Sequence, residues 1–180
     1  MLILVRHAMP AYEQSVPPEL WPLSVEGREA ARALDLPPGA YLVASGEVKA
    51  WQTLEPFGAA VRDARFNEVR RRAEPWDGNF REPRRAYVDG ADHEDWEPRA
   101  SVVARFDAAI EDHIEDHKVR GRGRPVVVAT HGMAMTLWLT VKIRLPDPAR
   151  FWESLRFPDA YCLNPTGSLA PLSANQISDS

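Results

Sequence analysis

Two apolar runs of this chain end alike. Leu2–Val5 passes directly into Arg6-His7-Ala8, and "VVVAT" (126–130) into His131-Gly132-Met133. Arginine presents a planar fork of donors that matches the oxygens of a phosphate. Histidine attacks phosphorus as the neutral imidazole, or donates to phosphoryl oxygens when protonated. A small residue after each histidine lets the backbone approach a bound group closely. His131 is also expected at the N-terminus of a helix, where amide groups and the dipole favour an anion. The chemistry these residues suit is capture and transfer of a phosphoryl group. It requires that positions 7 and 131, remote in sequence, meet in space.

The intervening elements are expected to arrange that meeting. Short apolar runs predict buried strands at Leu2–Val5, 41–45 and 125–130. Between them, "PLSVEGREAARALDL" predicts a helix capped by Ser24 and stopped by Pro37-Pro38-Gly39. Residues 47–61 predict a second helix with Pro56 as a bend, 65–69 a short strand, and about 98–118 a third helix with Val103, Phe106, Ile110 and Ile114 in register. A helix over 131–143, another over 147–155 and two weak strands, 160–164 and 167–172, complete the pattern. Strands alternating with helices imply a three-layer α/β/α sandwich around a mainly parallel sheet. Such sheets bind ligands beyond the carboxyl ends of their strands, where both histidines are expected. The polar stretch 70–97 reads as a long loop, of the kind that serves as a lid over a site, within one domain spanning 1–180.

Composition narrows the partners. A net charge of −4 argues against nucleic-acid binding, which needs a basic face. Cys162 is the only cysteine, so an internal disulfide and a C-x-x-C metal site are excluded. No run is long enough to cross a bilayer and no basic region precedes the first apolar run, so a reduced, cytoplasmic setting is expected. His113 and His117 stand four apart, as zinc ligands can, but Asp112 and Asp116 mark a solvated helix face and no metal site is expected. The oligomeric state is not encoded in any legible pattern.

The motifs also resemble a known family. "LVRHAMP" looks like the R-H-G signature of the histidine phosphatase superfamily, the phosphoglycerate-mutase-like enzymes. "PLSVEGREAARAL" resembles its P-L-T-x-x-G-x-x-Q-A helix start, "ASGEVKAWQT" its S-S-x-L-x-R-A-x-Q-T segment, and "VVVATHGMAM" its second histidine motif. These matches run in order from residue 1 to about 144.

The resemblance implies that His7 is a nucleophile that becomes transiently phosphorylated, with Arg6 and His131 holding the phosphoryl oxygens. Lys49 falls where the family has an arginine, replacing a bidentate fork by a point charge. Ala8 replaces the usual glycine. Ser45 matches the segment's second serine and is expected to line the phosphate pocket. A carboxylate is expected to protonate the leaving group and then activate water. Glu68, at the end of the expected strand 65–69, is the first choice, with Asp77 and Glu74 as alternatives. Arg70–Arg72 and Arg81–Arg85 could attract an anionic substrate, and Trp76, Phe80, Tyr87 and Trp96 either contact its apolar part or pack the loop down.

The implied function is metal- and cofactor-independent hydrolysis of a phosphomonoester, on a small phosphorylated metabolite. The alternatives are a mutase, a protein phosphohistidine phosphatase, or a domain that binds a phosphorylated ligand without turning it over.

Overall fold

The computed structural model describes residues 1–72, 80–119 and 123–172. Among them, six strands form one mixed sheet: β1 (Leu2–Arg6), β2 (Tyr41–Ala44), β3 (Val61–Arg62), β4 (Val126–Thr130), β5 (Asp159–Leu163) and β6 (Leu169–Pro171), in the order β3-β2-β4-β1-β5-β6. The four strands β3, β2, β4 and β1 run parallel, and β5 and β6 add an antiparallel edge. Six helices accompany them: α1 (Val25–Arg32), α2 (Val48–Leu54), α3 (Arg81–Val88), α4 (Arg99–Val119), α5 (Gly132–Lys142) and α6 (Pro148–Ser154).

Strand alternation sorts the core into two layers. Leu2, Leu4, Val43, Val126 and Val128 face Phe106, Ile110 and Trp138 of α4 and α5. Ile3, Val5, Leu42, Ala44, Val127 and Ala129 face Ala50 and Leu54 of α2 on the other side. Strands buried on both faces must be apolar throughout, which is why β1 and β4 read as unbroken aliphatic runs. Each fully buried aliphatic side chain there contributes about 1.5–3 kcal/mol.

β1 and β4 are direct neighbours, with Arg6 opposite Thr130 and the His7 amide donating to Thr130 O at 3.0 Å. The parallel register carries both strands to the same edge, so the residues that follow them emerge together. At the other end of the site, Ser24 caps α1 by accepting from the Gly27 amide at 3.0 Å, and its own amide donates to Met9 O. This brings α1 against the segment that follows His7. A Cβ on Gly27 would lie 2.1 Å from Met9 O. Gly27→Ala is therefore expected to displace residues 8–10 and cost about 1–3 kcal/mol of stability. Urea unfolding measures this, and an unchanged midpoint would refute the packing argument.

Three expectations are corrected. The helix expected over 47–61 ends at Leu54, and a 3-10 turn over Glu55–Phe57 follows, because Pro56 has no amide to continue the ladder. Residues 65–69 do not form a strand. The edge strand is Val61–Arg62, and Asp63 then caps a 3-10 turn over Ala64–Phe66 by accepting from the Arg65 amide. Phe66 and Val69 are apolar because they are buried in the α4–α5 layer, not because they alternate in a sheet. Residues 70–97 are not wholly irregular, since α3 lies within them. Tyr87 and Trp96 pack edge to face in the core, and the Tyr87 hydroxyl donates to Glu97 O at 2.6 Å.

His113 and His117 are also corrected, from a solvated helix face to the interior. His113 Nε2 donates to Asp63 and its Nδ1 accepts from the Tyr41 hydroxyl, while His117 Nε2 donates to Arg124 O. The two imidazoles serve separate partners, and the described residues contain no group of side chains suited to a metal.

Candidate active site

The rings of His7 and His131 stand 5.0 Å apart between centroids, tilted by 59°. They lie on the wall of a cleft of about 1260 Å³ that Arg6, Glu47, Lys49 and Glu68 also line. Four parts of the fold supply these side chains: the end of β1 and the residue after it give Arg6 and His7, the N-cap and first turn of α2 give Glu47 and Lys49, the segment after β3 gives Glu68, and the residue between β4 and α5 gives His131.

Hydrogen bonding decides the protonation of both rings. His7 Nδ1 lies 2.8 Å from Ala8 O, and a carbonyl only accepts, so Nδ1 carries the proton and Nε2 keeps the lone pair. The Ala8 backbone is held in turn by its amide donating to Thr53 Oγ1. For His131 the chain of reasoning is longer. The Gly46 amide donates to Asn67 Oδ1, which fixes that atom as the amide oxygen, and the Ser45 hydroxyl gives its one proton to the same atom. Ser45 Oγ must then accept from the Glu47 amide and from His131 Nε2, at 3.1 and 2.8 Å. His131 thus bears its proton on Nε2. Its Nδ1 is buried with no partner among the described residues.

One terminal nitrogen of Arg6 donates to Leu155 O at 2.6 Å and the guanidinium stacks 3.5 Å above the Phe157 ring, while the buried Nε has no partner among the described residues. A Cβ on Gly132 would come within 3.4 Å of that Nε and 3.2 Å of Trp152 Nε1, so glycine keeps this side clear. Buried polar atoms without partners are rare in folded proteins, and Arg6 Nε is a donor that an anionic group in the cleft would satisfy.

Burial favours the neutral forms. Desolvation, then competition with the adjoining His131 imidazole for a proton, then the charge of Lys49 hold His7 well below the ordinary imidazole value. Desolvation and Lys49 do the same to His131, opposed by Glu68. Arg6 is lowered by burial to about 10 and remains charged at neutral pH.

Glu68 caps α5. One carboxylate oxygen accepts from the Val69 and Ala134 amides at 3.0 and 2.9 Å, the other from Met133 at 3.2 Å. Burial alone would raise its pKa, but the facing His131 imidazole, the charge of Arg71 and the Val69 amide outweigh it and hold the carboxyl below its ordinary value. The segment carrying it is clamped by Arg105, which donates to the carbonyls of Arg65, Asn67 and Glu68 and pairs with Glu97.

Five of the six site residues named from sequence line this cleft. Ser45 does not: it is fully buried behind His131, and its hydroxyl is saturated by Asn67, Glu47 and His131. Its place corrects the expectation that it binds phosphate. Glu74, Asp77 and Trp76 lie outside the described residues. Of the aromatic residues read as either contacting substrate or packing the loop down, Phe80 lines the cleft, whereas Tyr87 and Trp96 pack in the core.

Sequence reasoning missed four contributors. Trp152 and Phe157 reach the cleft from the C-terminal part of the chain, and Asn67 orders Ser45. The fourth is Glu47. Its signal was present, since it occupies the leucine position of the S-S-x-L-x-R segment, two residues before Lys49.

A parallel-sheet α/β fold that presents two histidines and an arginine at adjoining strand ends defines a phosphoryl-handling class. The chain belongs to the histidine phosphatase superfamily, branch 1, whose family model matches residues 2–161. No curated protein matches it. Among solved structures, a mycobacterial glucosyl-3-phosphoglycerate phosphatase is similar with a TM-score of 0.68 and 19% identity, over 89% of this chain and 87% of that one. A Thermus thermophilus protein reaches a TM-score of 0.62 at 18% identity, over 96% and 98% of the two chains. A mutant Entamoeba histolytica phosphoserine phosphatase in complex with phosphoserine reaches 0.61 at 12%, over 98% and 97%. No helix among the described residues is long and apolar enough to cross a membrane.

Proposed function

We propose that this protein is a phosphatase that hydrolyses phosphomonoesters through a phosphohistidine on His7. The observation that carries the reading is the lone pair of His7 Nε2 in a cleft also lined by Lys49, His131 and Arg6, whose buried Nε has no partner among the described residues. Nε2 attacks phosphorus while the P–O bond to the leaving group breaks, and Glu68 delivers a proton to the departing oxygen. Water then attacks the phosphohistidine, giving its proton to Glu68 and releasing inorganic phosphate and free His7. Arg6, Lys49 and His131 stabilise the charge of the phosphoryl group in flight. Glu68 is ionised in the open site, and an arriving phosphate dianion raises its pKa towards the protonated form the first step requires.

The substrate in this reading is a small phosphorylated metabolite. The cleft is far larger than a phosphate, and Arg70, Arg71, Arg72, Phe80 and Arg84, all within 70–97, line its outer part. That segment then acts as the substrate-contacting lid of one domain. The phosphatases among the structural relatives favour hydrolysis over mutase transfer. The buried thiol of Cys162 suits a reduced, cytoplasmic setting.

The test is hydrolysis of p-nitrophenyl phosphate with a chelator present, followed across pH. A nucleophile whose pKa lies well below 6.5 stays neutral under mild acid, so activity should persist as pH falls through 6.5. In kcat/KM corrected for substrate ionisation, the acid limb is expected below that value. A limb at or above 6.5 would contradict the site's electrostatics, and no hydrolysis at any pH would favour a domain that only binds its ligand.

A further inference from the structure

Glu47 is a buried carboxylate with no part in the steps above, yet it touches three members of the site. Its Oε2 accepts from Lys49 Nζ at 2.5 Å, and Oε1 accepts from the Glu68 amide at 2.8 Å. Oε1 also lies 3.5 Å from His131 Nε2. Lys49 Nζ makes a second bond, to Pro18 O at 2.7 Å, which leaves one of its three donors for a ligand.

This arrangement bears on how His131 can meet an anion. The imidazole's one proton is committed to Ser45 through Nε2, so the free Nδ1 presents a lone pair. A lone pair facing a phosphoryl oxygen repels it. His131 can hold the dianion only by taking a second proton from solvent onto Nδ1, becoming an imidazolium. Around it stand the positive groups Arg6 and Lys49, with Arg71 and Arg105 farther out, the negative groups Glu47 and Glu68, and the neutral His7. Without Glu47, Glu68 alone would offset the buried ammonium of Lys49 at His131.

We propose that Glu47 is a positioning residue that neutralises Lys49 and supports His131 as an imidazolium, so that the site takes up a proton when a tetrahedral dianion binds. Glu47 and Lys49 thereby act as one unit, standing where the resembled motif has leucine and arginine. The inference rests on the phosphoryl-binding reading of this cleft and extends it to a residue outside the family motif.

Sulfate is the suitable probe, because it is a tetrahedral dianion that does not titrate near neutral pH and needs no turnover. Calorimetry of sulfate binding in buffers of different ionisation heat counts the protons taken up. Wild type is expected to take up close to one proton per sulfate more than His131→Asn at slightly alkaline pH. Glu47→Gln is expected to lose most of this uptake, Glu47→Asp to retain it, and Glu47→Gln to have no further effect in a His131→Asn background. In turnover, Glu47→Gln should lower kcat by about tenfold or more and move the alkaline limb of the kcat profile to lower pH. Thermal unfolding of each variant separates these effects from loss of fold, and Glu47→Asp reports even if the amide variant is unstable. Uptake unchanged by Glu47→Gln, or still reduced by it when His131 is absent, would overturn the proposal. Wild type that binds sulfate with the expected proton but hydrolyses no phosphomonoester would sink the phosphatase reading and leave this one standing. Failure to bind sulfate would sink both.

Discussion

His7→Ala is expected to lower phosphomonoester hydrolysis by about 10⁴-fold or more, the scale seen when a covalent nucleophile is removed. Nε2 of His7 is the one lone pair in the cleft aimed by a backbone lock: Nδ1 is tied to Ala8 O, and the Ala8 amide is tied to Thr53. Neither Arg6 nor Lys49 can replace it, because a guanidinium has no nucleophilic lone pair and Lys49 Nζ is paired with Glu47 and bonded to Pro18 O. The check is label transfer. Wild type mixed with a phosphate-labelled substrate and quenched in alkali, where a phosphoramidate survives, should carry label, and the variant should carry none. The imidazole is buried against His131 and Phe157, so the deletion leaves a small cavity, and His7→Gln serves as a fuller replacement. Label on either variant, or a rate within tenfold of wild type, would move the nucleophile elsewhere.

Glu68→Gln is expected to show the second-largest effect, and the effect should depend on the leaving group. Protonating a poor leaving group is worth about 10²–10⁴ in rate, so alkyl phosphates should slow by that amount and p-nitrophenyl phosphate much less. A plot of log kcat/KM against leaving-group pKa should be steeper for the variant than for wild type. Parallel lines would assign the proton transfer to another group. The structural cost is separable. The glutamine oxygen can still accept from Val69 and Ala134, but its NH₂ would face the Met133 amide, donor against donor. A modest loss of stability at the start of α5 is therefore expected alongside the kinetic change, and denaturant unfolding would report it.

Several features were legible in the chain itself for definite reasons. Strands buried on both faces cannot tolerate polar residues, so Leu2–Val5 and 126–130 announced themselves, and the breaks at Arg6 and His131 marked where the aliphatic runs end and chemistry begins. Ser24 declared a helix start because unsatisfied amides need an acceptor, and the structure places its hydroxyl on the Gly27 amide. Other features were misread where two physical causes leave one pattern. Phe66 and Val69 look like a strand, but their apolarity answers to burial beneath α4 and α5. His113 looked solvated among aspartates, although Asp63 and Tyr41, distant in sequence, give it an interior place.

The residue types and their order along the chain determined which chemistry is possible here: an anion-matching arginine and two imidazoles, each at the end of an apolar strand. The tertiary structure alone decided that β4 lies beside β1, that Ser45 supports His131 from behind, and that Glu47 joins Lys49, Glu68 and His131. The reason is that side-chain identity is local, whereas a proton's position and a charge's strength depend on neighbours within a few ångströms, and those neighbours are set by strand pairing and packing across the whole chain.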